Sequence, residues 1–368
     1  MNVRRLADRR LRPRSREPLM PIPASAFKGA REDPTKYPGE RPDGSYLLYE
    51  GQVHLMDFDN PKDPLSGHVY IDGKRVLVDR FLSEHGLTPM AKRIMVGAYG
   101  SNPCPGQLAK KWTDRKNEGV SDATVVFSGT LADADVVPEG CSVYGGYLYA
   151  SIILNEMTKG TNVDFWYTLL DPQQLQILNK DEITVVDGIP DYAVASMKGC
   201  TIDGTGLSMT PLIYAGNGNL FISKKHNSPI AFGDIKADNR RMPEYGGLEI
   251  LRLILSHEES GMAEEVFKLL KIGGSIKYRL RELGGDVKDR VRDALFEVNR
   301  QYREGGIRRD SPHMRVIEMV RGYLRERSTS FRLVDKLREE GALVERAYAD
   351  SAPEEYQFGR LLENAGRL

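Results

Sequence analysis

Short apolar runs separated by turn-forming residues dominate the chain from Tyr46 to about residue 200. These runs are rich in Val, Ile, Tyr and Phe, the residues that fit a pleated and half-buried surface best. The pattern predicts that the centre of the chain is mainly β-sheet. The predicted strands cover residues 94–99, 124–131, 142–153, 163–170 and 192–197.

A hairpin is predicted near residue 70. Two β-rich runs, 69–71 and 75–78, flank the dipeptide Asp72-Gly73. Asp-Gly accepts the positive φ angles that a tight two-residue turn requires, so the two runs are expected to pair in antiparallel fashion.

One short helix is predicted between two of the strands. Asp171 is a suitable N-cap, a proline follows at the first helical position, and Gln174 completes a capping-box pattern. Leu175 and Leu178 form an apolar stripe. The pattern predicts a helix that ends just before the acidic pair at 181–182.

Apolar residues recur at helical spacing through the last third of the chain. Gly-Gly pairs at 273–274, 284–285 and 305–306 separate the stripes as helix ends and turns. We therefore predict a helical appendage over residues 246–368. The apolar positions are Leu248, Ile250, Leu251, Ile254, Leu255, Met262, Val266, Phe267, Leu270, Val287, Val291, Ala294, Leu295, Val298, Tyr302, Val316, Ile317, Val320, Leu324, Leu333, Val334 and Leu337.

The polar faces of these predicted helices mix acidic and basic residues, which is typical of a solvated surface. Homo-oligomerisation or docking onto a protein partner through 246–368 is therefore favoured over nucleic-acid binding.

The first 45 residues contain seven of the twenty prolines and no periodic apolar pattern. Such a segment buries too little surface to order itself, so residues 1–45 are predicted to form a disordered arm. Its opening sixteen residues contain seven Arg and one Asp. A solvated tail is favoured, with nucleic acid or an acidic partner as the alternative. Residues 46–245 are then the β-rich domain.

Composition excludes several classes of protein. The 368 residues include 52 basic and 52 acidic side chains, so the net charge favours neither nucleic acid nor a membrane surface. No apolar stretch reaches the roughly 18 to 20 residues of a membrane helix, and no secretory signal is evident. Three isolated cysteines and six scattered histidines lack metal-ligand spacing. We expect a reduced, cytoplasmic protein with neither metal nor cofactor.

The clearest candidate for chemistry is the string Tyr99-Gly100-Ser101-Asn102 at the end of a predicted strand. A strand that ends in Gly-Ser-Asn turns abruptly and presents backbone N–H groups, which suit a carboxylate or carbonyl oxygen. A second stretch, residues 214–219, has the composition of a turn-rich loop that closes over such a site or lies on the surface.

The order of these motifs resembles the γ-glutamyl cyclotransferase-like family over residues 92–235. The matching features are the Tyr-Gly-Ser-Asn loop, Gly145 and Gly146 in the next strand, the Val-rich strand 163–170, and the helix that leads to Glu182. The resemblance implies an α+β fold with a mixed, barrel-forming β-sheet and short helices.

The resemblance also implies an activity. Family members release an amine or amino acid from a γ-glutamyl compound, because the α-amine of the substrate attacks its own side-chain carbonyl and closes 5-oxoproline. Glu182 is then the candidate catalytic base and acid, and Asp181 is the neighbouring alternative. Without the resemblance, Glu182 would be an ordinary carboxylate at a helix end.

The remaining site residues that the resemblance implies bind the γ-glutamyl substrate. They are Tyr99, Gly100, Ser101, Asn102, Gly145 and Gly146. The two strand glycines have an alternative role, since glycine inside a β run often only bends the strand.

Two positions differ from the family pattern. Phe165 and Ile183 each stand where the family usually has glycine. These differences favour a second hypothesis, in which the chain is a catalytically inactive module that binds a protein or nucleic-acid partner through the helical tail and the Arg-rich arm.

Overall fold

The structure is a computed structural model of the chain. It describes residues 20–30, 32–115, 118–141, 148–183, 185–186, 189–190, 192–256, 258–262, 265–266, 300, 312–329, 331–344 and 354–366. The predicted site residues Gly145 and Gly146, the three Gly-Gly pairs of the last third and the Arg-rich first sixteen residues lie outside the described residues.

The described chain alternates short strands with seven α-helices. The strands are β1 Ile22–Pro23, β2 Tyr46–Tyr49, β3 Gln52–Leu55, β4 Asp57–Phe58, β5 Gly67–Ile71, β6 Lys74–Leu77, β7 Ile94–Ala98, β8 Thr124–Ala132, β9 Asp135–Cys141, β10 Leu148–Ile153, β11 Asn162–Leu170, β12 Val185–Val186, β13 Ile189–Pro190, β14 Tyr192–Ser196, β15 Cys200–Ile202, β16 Ser208–Met209, β17 Leu212–Gly216, β18 Ile222–Ser223, β19 Ser228–Pro229, β20 Ala231–Phe232, β21 Ala237–Asp238 and β22 Glu244–Tyr245. The helices are α1 Val78–Glu84, α2 Pro105–Thr113, α3 Pro172–Glu182, α4 Gly247–Leu255, α5 Pro312–Glu326, α6 Leu333–Glu339 and α7 Phe358–Asn364.

One mixed sheet holds eleven of the described strands. Its main path runs β1-β3-β2-β8-β11-β7-β17-β14, and within it β7 and β17 pair in parallel. This confirms the predicted α+β class with a mixed sheet. The expected barrel is not found among the described strands, since the path has two ends. At the β14 end, residues 342–344 cover the edge: Ser196 N–H donates to Ala342 O at 2.8 Å.

Four predicted strands are confirmed to within one residue: β7, β8, β11 and β14. The predicted hairpin is also confirmed, because Asp72 and Gly73 have φ angles of 48° and 74° between β5 and β6. Val78 was expected to end the second hairpin strand, but it begins α1 instead.

Phe165 is a core residue of β11, the strand that lies between β7 and β8. Its ring packs parallel to Tyr99 at 6.5 Å between centroids and edge-on to Tyr167 at 5.4 Å. A side chain at Gly97 would collide with the Phe165 ring. The glycine in β7 therefore makes room for the aromatic ring of Phe165 in β11.

Helix α3 begins as predicted. Gln174 N–H donates to Asp171 Oδ1 at 2.9 Å, and Asp171 N–H donates to Gln174 Oε1 at 3.1 Å, which is a complete capping box. The predicted end of this helix was wrong, because Asp181 and Glu182 belong to its last turn. Both side chains therefore take their positions from the helix.

The N-terminal segment differs from the predicted disordered arm over its described part. Strand β1 pairs with β3, and Ala24, Ala30 and Tyr37 are buried. Pro34 is compatible with this packing because it lies at the start of a short 3-10 helix, directly after the Asp33 cap. The segment becomes ordered by packing on the sheet, which its own composition does not reveal.

The described C-terminal helices pack on the sheet rather than standing apart as an appendage. Leu333 and Leu337 of α6 and Phe358 of α7 belong to the same buried cluster as the strand residues, and Phe358 contacts Phe127 at 5.4 Å between ring centroids. Helices α4, α5 and α6 confirm three predicted helical stripes, whereas α1, α2 and α7 were not predicted. Each described helix is too short or too polar to cross a membrane.

Gly106 provides a stability test of the contact between α2 and the N-terminal segment. A Cβ at this position would collide with the carbonyl oxygen of Phe27, which is backbone. We expect Gly106→Ala to lower the free energy of unfolding by roughly 1–3 kcal/mol, measured by urea denaturation.

Gly322, in the interior of α5, is the matched control because a Cβ there meets no atom within 4 Å. Gly322→Ala should raise stability by about 0.5–1 kcal/mol, because alanine favours the helix. An equal change of the same sign in both variants would contradict the packing argument.

Candidate functional site

The Tyr99-Gly100-Ser101-Asn102 loop joins β7 to α2. Tyr99 is buried, and its hydroxyl donates to Tyr214 O at 3.0 Å. Gly100, Ser101 and Asn102 are partly exposed. Cys104 N–H donates to Ser101 O at 3.0 Å and begins the turn into α2. The buried tyrosine anchors one end of the loop while its tip stays accessible.

Lys111 brings the loop and Glu182 together. Its side chain projects from α2 and is only 3% exposed. The ammonium group donates to Asn102 Oδ1 at 3.0 Å and to Glu182 Oε1 at 2.9 Å. Residues 80 positions apart in the chain thus share one nitrogen atom as their hydrogen-bond partner. The Glu182 side chain keeps an exposure of 22%, so it is only partly buried.

Asp181 is placed beside Glu182 but has different partners. Its carboxylate lies 3.6 Å from the guanidinium of Arg115 and 3.8 Å from the Lys111 ammonium. Glu182 makes the shorter contact with Lys111, and through it Glu182 is joined to the loop. The geometry therefore distinguishes the two neighbouring carboxylates, which the sequence does not.

A chain of hydrogen bonds connects α3, β17 and the loop. Tyr214 donates its hydroxyl proton to Asn179 Oδ1 at 2.6 Å, and its carbonyl accepts from Tyr99. Tyr214 was expected in a turn-rich loop, but residues 214–216 belong to the buried strand β17. The strand begins with apolar residues before Tyr214 and continues through Gly216. The glycines and asparagines from residue 216 onward had suggested a turn.

Glu139 is a buried carboxylate that the sequence analysis missed. It lies in β9, is 8% exposed, and accepts a hydrogen bond from Gly218 N–H. A side chain at Gly216 or Gly218 would collide with the Glu139 carboxylate. The two glycines are therefore required by a residue far away in sequence, and no motif surrounds Glu139 that would have identified it.

The negative charges of Glu139 and Glu182 act on two tyrosine hydroxyls of this region. Burial raises the pKa of Tyr99 well above its usual value, and the negative charges of Glu139 and Glu182 raise it further. Burial, followed by Tyr99 and the same two carboxylates, also raises the pKa of Tyr192. Both hydroxyls therefore remain protonated hydrogen-bond donors at neutral pH.

Cys104, one of the three isolated cysteines, and Ile183 have structural positions. Cys104 is fully buried, and burial raises the pKa of its thiol, which disfavours the thiolate that a nucleophile needs. Ile183 follows α3 as its C-cap, and its N–H donates to Asn179 O at 2.9 Å. Among the described residues, no group of three or more His, Cys, Asp and Glu side chains is arranged to hold a metal ion.

A groove of about 610 Å³ lies elsewhere, between α5 and the segment that follows α4. Its buried carboxylate, Glu259, accepts hydrogen bonds from Ser223 Oγ at 2.9 Å, Lys225 N–H at 3.0 Å and Tyr323 at 3.2 Å. This carboxylate holds the β18–β19 turn against α5. We regard its role as structural.

Comparison with known proteins gives two similar structures. No family model and no curated protein sequence matches the chain. An uncharacterized human protein, loc79017, is 18% identical, and the match covers 56% of this chain and 99% of that one with a TM-score of 0.28. A structure named gamma-glutamyl cyclotransferase is 17% identical, with 55% and 98% covered and a TM-score of 0.26. Similarity at this level carries no functional conclusion.

Proposed function

We propose that the chain is a cyclotransferase that acts on a γ-glutamyl amide or amine and releases 5-oxoproline. The observation that supports this most is the Lys111 ammonium, which holds the Glu182 carboxylate beside Asn102 of the loop. A base and a loop with backbone donors are the two parts that the reaction needs. Both the activity and the residue roles below are part of the proposal.

Glu182 is the proposed base. At neutral pH the α-amine of the substrate is an unreactive ammonium group, so a positioned carboxylate must first remove a proton. The free α-amine then attacks the side-chain carbonyl carbon, the C–N bond to the leaving group breaks, and the ring nitrogen loses its second proton to solvent as 5-oxoproline forms. Glu182 returns the proton to the leaving nitrogen. The partial exposure of the Glu182 side chain is compatible with access by a substrate.

The loop supplies the proposed donors. In the part of the chain that the structure describes, the N–H groups of Gly100 and Ser101 donate no hydrogen bond. Backbone donors of this kind bind a substrate carboxylate or stabilise the oxyanion that develops during attack. Because the nucleophile and the carbonyl belong to one molecule, much of the rate comes from holding the γ-glutamyl group in a folded conformation.

Lys111 is expected to be needed for the placement of Glu182. Lys111→Met removes the cation that joins the carboxylate to Asn102 while keeping the apolar stem. We expect kcat/KM for 5-oxoproline release to fall by roughly tenfold or more, because hydrogen bonds to charged groups contribute about 1.5–3 kcal/mol. Lys110→Met, on the same helix and partly exposed, is the control and should leave kcat/KM unchanged. Equal rates in both variants would contradict this role.

The alternative is a catalytically inactive module that binds a partner. Phe165 favours it, because this ring fills the space behind Tyr99 where the family pattern has glycine. A γ-glutamyl substrate could then not use the space behind Tyr99 that the Phe165 ring fills.

The test of the proposed function is an assay of the purified wild-type chain. γ-Glutamyl amino acids and γ-glutamyl amines are incubated with the protein, and 5-oxoproline and the released amine are both quantified. Equimolar release from at least one compound class supports the proposal. Absence of release from every compound, with a folded protein by circular dichroism, favours the inactive module.

A further inference from the structure

Arg41 reaches the Tyr99-Gly100-Ser101-Asn102 loop from the N-terminal segment, which lies outside the region of family resemblance. One guanidinium nitrogen, Nη2, donates to Tyr99 O at 3.2 Å and to Gly100 O at 2.5 Å. The guanidinium also lies over the Trp166 ring at 5.7 Å from its centroid, a cation–π distance. Two consecutive carbonyl groups of the loop thus share one cation.

These contacts determine where the loop N–H groups point. In a trans peptide the carbonyl of one residue and the N–H of the next point in opposite directions. The one cis bond among the described residues is Tyr37-Pro38, so both loop peptides are trans. Since Arg41 holds the carbonyls of Tyr99 and Gly100, the N–H groups of Gly100 and Ser101 are directed to the opposite side. Neither of these two N–H groups donates a hydrogen bond within the described chain.

The charge of Arg41 is not neutralised by an ion pair within the described part of the chain. Its Nε is buried and has no hydrogen-bond partner there, and Asp164 acts on it only at longer range. Burial lowers the pKa of Arg41, yet an arginine remains cationic at neutral pH. Buried charges are normally paired, so an anion bound on the N–H side of the loop would complete the charge balance.

Other residues of the same segment hold the loop in place. Tyr46 donates its hydroxyl proton to Pro103 O at 2.6 Å. A Cβ at Gly100 would lie 2.9 Å from the Tyr37 hydroxyl, so this glycine permits the close approach of Tyr37. Arg41, Tyr37 and Tyr46, which all precede the resemblance region, therefore lie against the loop or the residue that follows it.

We propose that Arg41 is a positioning residue that turns the loop into a carboxylate receptor, by fixing two peptide groups and polarising them toward the ligand. The receptor takes the α-carboxylate of a γ-glutamyl group, and this substrate class rests on the proposed function. Arg41 does not touch the ligand. It acts through the peptide groups, because hydrogen bonds along a polarised chain strengthen one another.

The test measures binding rather than turnover. The probe is 5-oxoproline, and the matched neutral probe is 5-oxoprolinamide, in which a carboxamide replaces the carboxylate. Titration calorimetry is performed with wild type, Arg41→Met, Arg41→Lys and the control Arg75→Met. Arg75 forms a surface ion pair with Asp57 and Asp59. Thermal unfolding is recorded for every variant.

We expect Arg41→Met to weaken 5-oxoproline binding by roughly tenfold or more, the size of a lost charge-assisted contribution. The affinity of Arg41→Lys for 5-oxoproline should fall between those of Arg41→Met and wild type, since lysine keeps the positive charge but lacks the planar guanidinium group. Affinity for 5-oxoprolinamide should change little. A merely structural role would weaken both probes equally. If Arg41→Met does not fold, the ratio of the two affinities in Arg41→Lys decides the question.

The outcomes separate this inference from the proposed function. Equal affinity of wild type and Arg41→Met for 5-oxoproline overturns the inference, as does absence of binding to wild type, whatever the turnover assay gives. Selective loss of carboxylate binding in Arg41→Met supports the inference. That result stands even where wild type releases no 5-oxoproline, in which case only the proposed activity fails.

Discussion

Replacing Glu182 with glutamine is expected to lower the rate of 5-oxoproline release by roughly 10²- to 10⁴-fold, the usual contribution of a positioned general acid–base group. The glutamine side chain would keep an oxygen that accepts from Lys111 but could not take a proton from the substrate ammonium. The loss should therefore appear in kcat, with 5-oxoproline affinity nearly preserved. Steady-state kinetics on the best substrate of the γ-glutamyl panel measures kcat, and calorimetry measures the affinity for 5-oxoproline.

Asp181→Asn is the matched control for this substitution. Asp181 lies on the same helix turn with a similar exposure, but its shorter ion pair is with Arg115. We expect its kcat to stay within a few-fold of wild type. If Glu182→Gln is as active as wild type, or if Asp181→Asn shows the larger loss, the assignment of Glu182 as the base is wrong.

Replacing Asp135 with asparagine is expected to cost about 1.5–3 kcal/mol of unfolding free energy, because it removes the buried anion that accepts charged hydrogen bonds from Arg240 and leaves the exposed Glu244 as the ionic partner of that arginine. Asp135 is fully buried in β9, and its two carboxylate oxygens accept from Arg240 Nε and Nη2, each at 2.9 Å. The same arginine donates to Ile235 O at 2.8 Å. The pair thus ties β9, which also contains Glu139, to the segment that follows β21. Urea denaturation measures the loss.

A double substitution separates the pair from other effects at this position. Asp135→Leu with Arg240→Met removes both charges, and stability should recover much of the loss, since an apolar replacement of a buried ion pair is often neutral. Asp57→Asn, which breaks an exposed contact with Arg75, should leave the unfolding transition nearly unchanged. An unfolding free energy of Asp135→Asn close to that of wild type would contradict the stabilising role of the Asp135–Arg240 pair.

Features that depend on neighbouring residues could be predicted from the sequence. The Asp171 cap and Gln174 form the expected capping box, and Asp72-Gly73 forms the expected tight turn, because both structures are defined by hydrogen bonds and φ angles within a few residues. Strands β7, β8 and β11 followed from continuous apolar runs, since these runs are buried on both faces. The mixed sheet was predictable for the same reason.

Contacts between distant residues could not be predicted in this way. The N-terminal segment was expected to be disordered because it is rich in proline and has no periodic apolar pattern, yet Tyr37 and Ala24 are buried against strands that follow it in the sequence. Helix α2 was missed because its stripe is short and begins at a proline, although Lys111 and Trp112 on it are buried. Residues 214–216 were misinterpreted because the run Gly216-Asn217-Gly218-Asn219 resembles a turn.

For the site, the sequence by itself indicated the Tyr99-Gly100-Ser101-Asn102 loop and the start of the helix before Glu182, and the family resemblance read from it made Glu182 a candidate. Only the tertiary structure decided that Lys111 joins Glu182 to Asn102, that Asp181 faces Arg115, and that Arg41 holds the carbonyl side of the loop. The physical reason is that turns and caps are fixed by local hydrogen bonds. Ion pairs between distant residues exist only after the sheet has brought their helices and segments together.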